Sequence, residues 1–537
     1  MRCVIVSSSI MRVSTDAINS FSESACRAAS GALSGFNLQA AGKVMGIIMK
    51  NILTFLEENA IKYKDKTAFV DLNDSVTYAE LLERAQSIGS ALSKTGTKNK
   101  PIAVYFDKCV NTISAMLGVV YSGNFYVVID SEMPPARINK IFGALSPVAV
   151  ITDKKHHENA LQLEFSGEIF DLEEALSCEI NSEKLAQIRS RQIDTDPLYA
   201  LFTSGSTGVP KGAVVSHKSV MAYSEWVSNT FDITSETVFA NQTPFYFSMS
   251  VTDVYSTLRN GATLAIVPKM YFSFPIKLVE FLDEYKANTI YWVPSAISMV
   301  SNFKVFDFQK PKYLNKVLFA GEVMPTKQLN YWINNLPENT LFANLYGPTE
   351  TTDICTYYVV NRKFRDDEPL PIGRHCDNCD VMIVNDKGVE AQPGEEGELY
   401  ARGSFLASGY YNNPEKTKAA FVQNPLNDAY PETVYKTGDL VRLNEFGEIM
   451  YITRKDFQIR AIALSLAKLK PLPLQWKKCR NVPAFIAIKQ TELLSITAQR
   501  KQMKPQCSRI SAQSCRLILF PIFALNSSKC RIIKTAR

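Results

Sequence analysis

Leu201-Phe202-Thr203-Ser204-Gly205-Ser206-Thr207-Gly208-Val209-Pro210-Lys211-Gly212 is a run of hydroxyls and glycines that ends on a lysine, and it follows the apolar stretch Pro197-Leu198-Tyr199-Ala200. Glycines let backbone N–H groups turn inward around an anion, hydroxyls add donors, and a lysine neutralises charge. The run therefore predicts a phosphate cradle at the end of a buried strand. It is not a Walker A loop, which needs G-x-x-x-x-G-K-[ST], because Lys211 stands between Pro210 and Gly212. Taken alone, the same residues would also suit a solvated Ser/Gly loop.

The chain around this loop has 537 residues, 46% of them hydrophobic and 21% charged, the profile of a folded globular protein. At roughly 100 to 200 residues per domain, several domains are expected. No run of about 18 apolar residues lacks charge, and no basic region leads into an apolar stretch at the N-terminus, so neither a membrane span nor a secretory signal is expected. The expected compartment is the cytoplasm. The net charge of +6 is unevenly placed: residues 461–537 hold 15 Lys+Arg and the single acid Glu492, which leaves the first 460 residues at −8. An acidic body argues against a nucleic-acid partner. Five of the 11 cysteines fall between residues 49 and 460, and Cys376 and Cys379 form an isolated C-x-x-C with no second pair nearby. They read as reduced thiols and not as zinc ligands.

Residues 1–48 contain nine serines and no sustained period, whereas Asn51 to Ala60 reads as an amphipathic helix. The expectation is that Met49 is the true start and that 1–48 is a spurious extension. Thr67 to Val70 and Val76 to Tyr78 read as a strand pair about the Asn73-Asp74 turn. Helical patterns then alternate with β-branched runs such as Ile102–Tyr105, Val148–Ile151 and Thr263–Val267. This alternation predicts an α/β domain with a largely parallel sheet, spanning 49–455.

Downstream of the loop come Asn344-Leu345-Tyr346-Gly347-Pro348-Thr349-Glu350-Thr351-Thr352, then Tyr435-Lys436-Thr437-Gly438-Asp439-Leu440, then Arg454-Lys455-Asp456-Phe457-Gln458-Ile459. Gly397-Glu398-Leu399-Tyr400, Gly409-Tyr410-Tyr411 and Pro371-Ile372-Gly373-Arg374 accompany them. In this order and spacing the segments resemble the adenylate-forming enzymes: acyl-CoA synthetases, luciferases and nonribosomal peptide adenylation domains. The resemblance covers about residues 49 to 460, and its texture is closest to D-alanine carrier-protein ligases and amino-acid adenylation domains.

That resemblance implies a large multi-layer domain with doubly wound sheets, a small distorted β-barrel subdomain, and a small C-terminal domain. It implies attack of a substrate carboxylate on the α-phosphate of ATP, release of pyrophosphate, and transfer of the acyl group to the phosphopantetheine thiol of a carrier protein or to CoA. By match to the family motifs, Thr203, Ser204, Gly205, Ser206, Thr207, Gly208 and Lys211 would hold phosphates. Asn344 and Tyr346 would border the adenine, Asp439 would accept the ribose hydroxyls, and Arg454 would contact ribose or phosphate. Glu350 would hold Mg²⁺, Thr351 would face the α-phosphate, and Asp456 would be the hinge at 456–460. Lys211, Glu350, Thr351 and Arg454 form the expected catalytic set. Phe247, Ser248, Ala320 and Gly321 would border the acid.

The chain departs from the family in two places. Amino-acid-activating members carry F-D-x-S, whose aspartate pairs with the substrate ammonium, but here Ser248 takes the aspartate's place in Phe247-Ser248-Met249-Ser250. A serine offers a hydroxyl and no charge. An acid without a free amine, activated as by an acyl-CoA synthetase, is thus an alternative, as is a non-catalytic nucleotide-binding remnant. The second departure follows Arg460, where Ala461-Ile462-Ala463-Leu464-Ser465-Leu466-Ala467-Lys468-Leu469-Lys470 replaces the family's continuation. This string can be encoded so that, read one base earlier after an added G, it gives Gly-Tyr-Arg-Ile-Glu-Leu-Gly-Glu-Ile-Glu, which is the family segment. Residues 461–537 are therefore expected to be an out-of-frame tail, and loss of the small domain with its catalytic lysine is expected to impair activity.

Overall fold

The computed structural model describes residues 51–203 and 210–455. The cradle residues Ser204, Gly205, Ser206, Thr207 and Gly208, the hinge residue Asp456, the N-terminal extension and the tail all lie outside the described residues.

Two large sheets follow from the β-branched runs. One has seven strands in the order Gly409–Tyr410, Lys211–Ser216, Pro197–Thr203, Phe125–Asp130, Pro101–Phe106, Ala149–Thr152, Glu168–Asp171. Its last five strands pair in parallel, while the strand entering the phosphate loop and the one leaving it are antiparallel. The other has nine strands, with a parallel centre from Thr67–Val70 through Thr263–Ile266, Val238–Asn241, Thr289–Trp292 and Lys316–Phe319 to Leu341–Tyr346. Ser75–Thr77, Thr356–Val359 and Arg374–His375 extend it antiparallel at its two edges.

Side chains alternate across a strand, so a strand buried on both faces feeds two cores. Ile102, Val104 and Phe106 enter the central core, and Ala103 and Tyr105 enter an outer one. In the nine-stranded sheet, Tyr291 and Leu318 face the central core, whereas Ile290, Trp292, Val317 and Phe319 face a second outer core. Between the sheets lie the helices Tyr78–Leu92, Val110–Tyr121, His217–Thr230 and Met249–Asn260. The first begins at Thr77 with a capping box, in which the Thr77 hydroxyl accepts from the Glu80 backbone N–H and the Glu80 carboxylate accepts from the Thr77 backbone N–H. The expected α/β class and doubly wound sheets are thus observed.

The expected small subdomain is a five-stranded antiparallel sheet: Cys379–Val384, Gly397–Gly403, Thr433–Leu443 and Phe421–Gln423, with Ile449–Arg454 also on Thr433–Leu443. The early strand pair is Thr67–Val70 with Ser75–Thr77, the second strand lying one residue earlier than expected because Tyr78 opens the helix capped by Thr77.

Candidate active site

Three sheets deliver side chains to one place. Lys211 opens the strand after the phosphate loop, and Tyr410 lies on the strand antiparallel to it, opposite Ala213. Glu350 stands in the short turn of 3-10 helix Thr349–Thr351, just beyond the C-terminal end of strand Leu341–Tyr346. Strand C-termini in such sheets are where ligands collect. Lys211 Nζ donates to Glu350 Oε1 at 2.8 Å and to the Tyr410 hydroxyl at 2.6 Å, and that hydroxyl donates to the same Oε1 at 2.6 Å. Burial alone would raise the Glu350 carboxyl, but the charge and hydrogen bond of Lys211 and the Tyr410 hydroxyl hold it below its ordinary value. Burial and the neighbouring Glu350 carboxylate raise the Tyr410 phenol, so it stays neutral.

The second half of the site comes from the antiparallel sheet. Asp439 and Arg454 are cross-strand partners in register, and Arg454 Nη1 lies 3.4 Å from Asp439 Oδ1. The other oxygen of Asp439 accepts from the Tyr346 hydroxyl. Burial and Asp439 raise the Tyr346 phenol well above its usual range, which keeps it a donor. Buried Cys355 joins the halves, since its thiol meets Thr351 on one side and the field of Asp439 on the other.

Gly347 lets the chain turn between these parts. A Cβ there would sit 2.3 Å from the Asp353 carbonyl oxygen, so no other residue fits. Thr352 is strained: φ is +66° and ψ −53°, and the Asp353 N–H closes a tight γ-turn onto the Thr351 carbonyl at 2.7 Å. A β-branched residue in that conformation costs about 1–3 kcal/mol. Thr352 Oγ1 on the Phe405 carbonyl, at 2.7 Å, helps hold it there.

The expected residues are therefore brought together as follows. Lys211, Glu350, Thr351, Tyr346, Asp439 and Arg454 converge. Thr203 ends the strand before the loop, and its buried hydroxyl has no partner among the described residues. Asn344 is buried and spends its amide on the Pro371 carbonyl at 2.7 Å, so it braces the backbone beside the site. Ala320 is buried at the end of strand Lys316–Phe319, and a Cβ at Gly321 would lie 3.4 Å from Met249 Sδ, next to Ser248. Phe247 stays 44% exposed, against Tyr246 at 4.7 Å between centroids, and is not part of that contact.

Two residues gain a role only from the coordinates. Tyr410 lies in a Gly-Tyr-Tyr segment that marked the resemblance without pointing to a function. Asp353 directly follows the Glu350 motif, yet its surroundings come from residues more than 60 positions away.

The arrangement offers a cation and hydroxyls for phosphate oxygens, a carboxylate for a hard cation, and a carboxylate with an aromatic ring for a nucleoside. Among the described residues no group of three or more His, Cys, Asp or Glu could hold a metal ion. Nor does any described helix have the length and apolar character to cross a membrane.

The family model described as AMP-binding enzyme matches residues 56–411. A D-alanine–D-alanyl carrier protein ligase of Lacticaseibacillus paracasei is 30% identical over 417 residues, covering 77% of this chain and 80% of the relative. An L-proline–L-prolyl-carrier protein ligase of Streptomyces coelicolor is 29% identical over 436 residues, covering 78% and 80%. Among solved structures, the nonribosomal peptide synthetase FmoA3 superposes with a TM-score of 0.69 at 23% identity, over 76% of this chain and 42% of that one. The chain thus spans less than half of the synthetase, and that likeness concerns the fold.

Proposed function

The chain belongs to the AMP-binding enzyme family, and on that premise we propose that it is an AMP-forming ligase that activates a small carboxylic acid with ATP for transfer to a carrier-protein thiol. The observation that carries this reading is the convergence of Lys211, Glu350 and Tyr410 with Asp439, Tyr346 and Arg454 from three sheets. The curated relatives of comparable length are carrier-protein ligases for D-alanine and L-proline.

In this reaction a carboxylate oxygen of the acid attacks the α-phosphorus, the bond to the bridging oxygen breaks, and pyrophosphate leaves with the electron pair. Lys211 and the hydroxyls of the loop from Thr203 onward neutralise the terminal phosphates. Asp439 accepts the ribose hydroxyls while Arg454 orients it, and Tyr346 flanks the adenine. Most of the catalysis is positioning and charge stabilisation. Glu350 is ionised, buried and oxygen-bearing, which fits a magnesium ion otherwise held by phosphates and water. Bound there, magnesium would neutralise charge on the phosphates. Thr351, beside it, faces the α-phosphate. The reaction belongs in the cytoplasm, where ATP and carrier proteins meet.

We also propose that the reading frame is lost after Arg460, so that 49–455 is the ligase's large domain and 456–460 the hinge, with 461–537 out of frame. Sequencing the gene across codons 450–480 tests this: an uninterrupted written frame would refute it. A second substrate reading, an acid with no free amine handed to CoA, is favoured by the uncharged Ser248. Acid-dependent ATP–pyrophosphate exchange tests the main reading. Exchange is expected only with a carboxylic acid present, weak in the written chain and stronger with the frame restored. ATP cleavage to ADP and phosphate would overturn the assignment.

A further inference from the structure

One buried carboxylate has no part in the nucleotide site. Asp353 is 1% exposed and lies at the end of the strained turn that Thr352 makes just beyond Glu350 and Thr351. Its Oδ2 accepts hydrogen bonds from Tyr291 at 2.9 Å and from Tyr223 and Thr252 at 3.0 Å. The Ser248 hydroxyl is also turned toward it. These donors come from strand Thr289–Trp292, from helices His217–Thr230 and Met249–Asn260, and from the cap of the latter. All are neutral. Among the described residues no lysine, arginine or histidine pairs with Asp353.

The other buried aspartate of this region differs. Burial lifts the Asp253 carboxyl to about 8, against the Asn241 amide that donates to its Oδ2 at 2.6 Å and the field of Lys108, so it is largely protonated at neutral pH and calls for no cation. A carboxylate surrounded by neutral hydroxyls is costly when ionised unless a cation completes it. Burial lifts the Asp353 carboxyl to about 6, and the hydroxyls of Tyr291, Tyr223, Thr252 and Ser248 restrain the rise, so it is largely ionised at neutral pH.

Its surroundings say where the cation comes from. Tyr291 pairs in register with Leu318, two residues before Ala320, and Met249, next to Ser248, is the neighbour of Gly321. On the other side the chain leads through Thr352 directly to Thr351 and Glu350. Asp353 thus stands between the nucleotide site and the residues expected to border the acid.

We propose that Asp353 is a specificity-determining residue that receives the protonated amine of the acid being activated, so that the substrate is an amino acid although Ser248 carries no charge. The inference rests on the adenylate-forming reading above. Ser248, in this arrangement, steadies the receiving carboxylate.

The test is equilibrium binding, by calorimetry, of acyl-sulfamoyl-adenosine analogues to the full chain and to Asp353→Asn, which keeps the side-chain shape. The analogues carry an α-amine, a β-amine, or no amine on the same carbon skeleton. The unsubstituted chain is expected to bind one amine-bearing analogue about 30-fold tighter than its deaminated counterpart, the worth of a charge-assisted hydrogen bond. Asp353→Asn is expected to erase that preference while keeping the deaminated affinity, and the preferred amine position identifies the amino-acid class. Equal binding of both analogues by the unsubstituted chain overturns the proposal whether or not the variant folds, as does a preference that survives in Asp353→Asn. If no analogue and no MgATP binds, the adenylate-forming reading itself fails, and this inference with it.

Discussion

Lys211 and Glu350 neutralise one another, and the Tyr410 hydroxyl bridges them. On the proposed function, incoming phosphates would compete with Glu350 for the ammonium, and a metal would compete with the ammonium for the carboxylate. Glu350→Gln removes only the charge. Measured by calorimetry, metal-free ATP is expected to bind this variant at least as tightly as the unsubstituted chain, while acyl-AMP formation falls about 10²-fold or more. Equal activity with bound magnesium would contradict the role of Glu350. His217 offers a pH test in the core: burial, then Arg189, push its imidazole down to about 3, against the pull of Asp196. The unfolded chain binds that proton near 6.5, so His217's contribution to stability is intact above 6.5 and lost as pH falls toward 3. Between pH 6.5 and 5 the loss is about 1.5 kcal/mol. Urea unfolding at the two values is expected to show a shallower decline for His217→Gln, and parallel declines would refute it. Carboxylates such as Asp353 titrate in both proteins and cancel in the difference.

At the scale of elements, hydrophobic alternation made the strands legible: the expected runs at 102–105 and 263–267 are strands Pro101–Phe106 and Thr263–Ile266. The motifs likewise singled out Lys211, Glu350 and Asp439, whose side chains the structure places in polar contact with Tyr410, Tyr346 and Arg454. What remained illegible is pairing at long range. That Asp439 and Arg454 face each other depends on the register of a hairpin, and the hydroxyl ring of Asp353 is assembled from three elements far apart in sequence. A lone aspartate in a polar run carries no period to announce it. Gly373 shows an element-level constraint in the opposite direction, where one small residue decides a junction. Its φ is +80°, and a Cβ would lie 2.0 Å from the Tyr357 carbonyl oxygen at the sheet edge. Gly373→Ala is expected to cost more than about 3 kcal/mol in urea denaturation, since both backbone conformation and space are lost. A cost under about 1 kcal/mol would mean that the edge strands move freely.

The whole molecule places its chemistry where three sheets meet: the seven-stranded sheet brings Lys211 and Tyr410, the nine-stranded sheet Tyr346 and Glu350, and the antiparallel sheet Asp439 and Arg454. No single sheet holds the whole constellation, so on the proposed reading nucleotide binding would report on the packing of all three. The central claim is that this junction directs a carboxylate to the α-phosphate of ATP. A single-turnover reaction, with protein in excess over ATP labelled at the α-phosphate, tests it most directly because even a slow enzyme yields a readable product. Addition of an amino acid is expected to move the label into an acyl-AMP, one per ATP consumed, and Lys211→Ala is expected to abolish the transfer. Label recovered as ADP, or as AMP formed equally without any acid, would contradict the account.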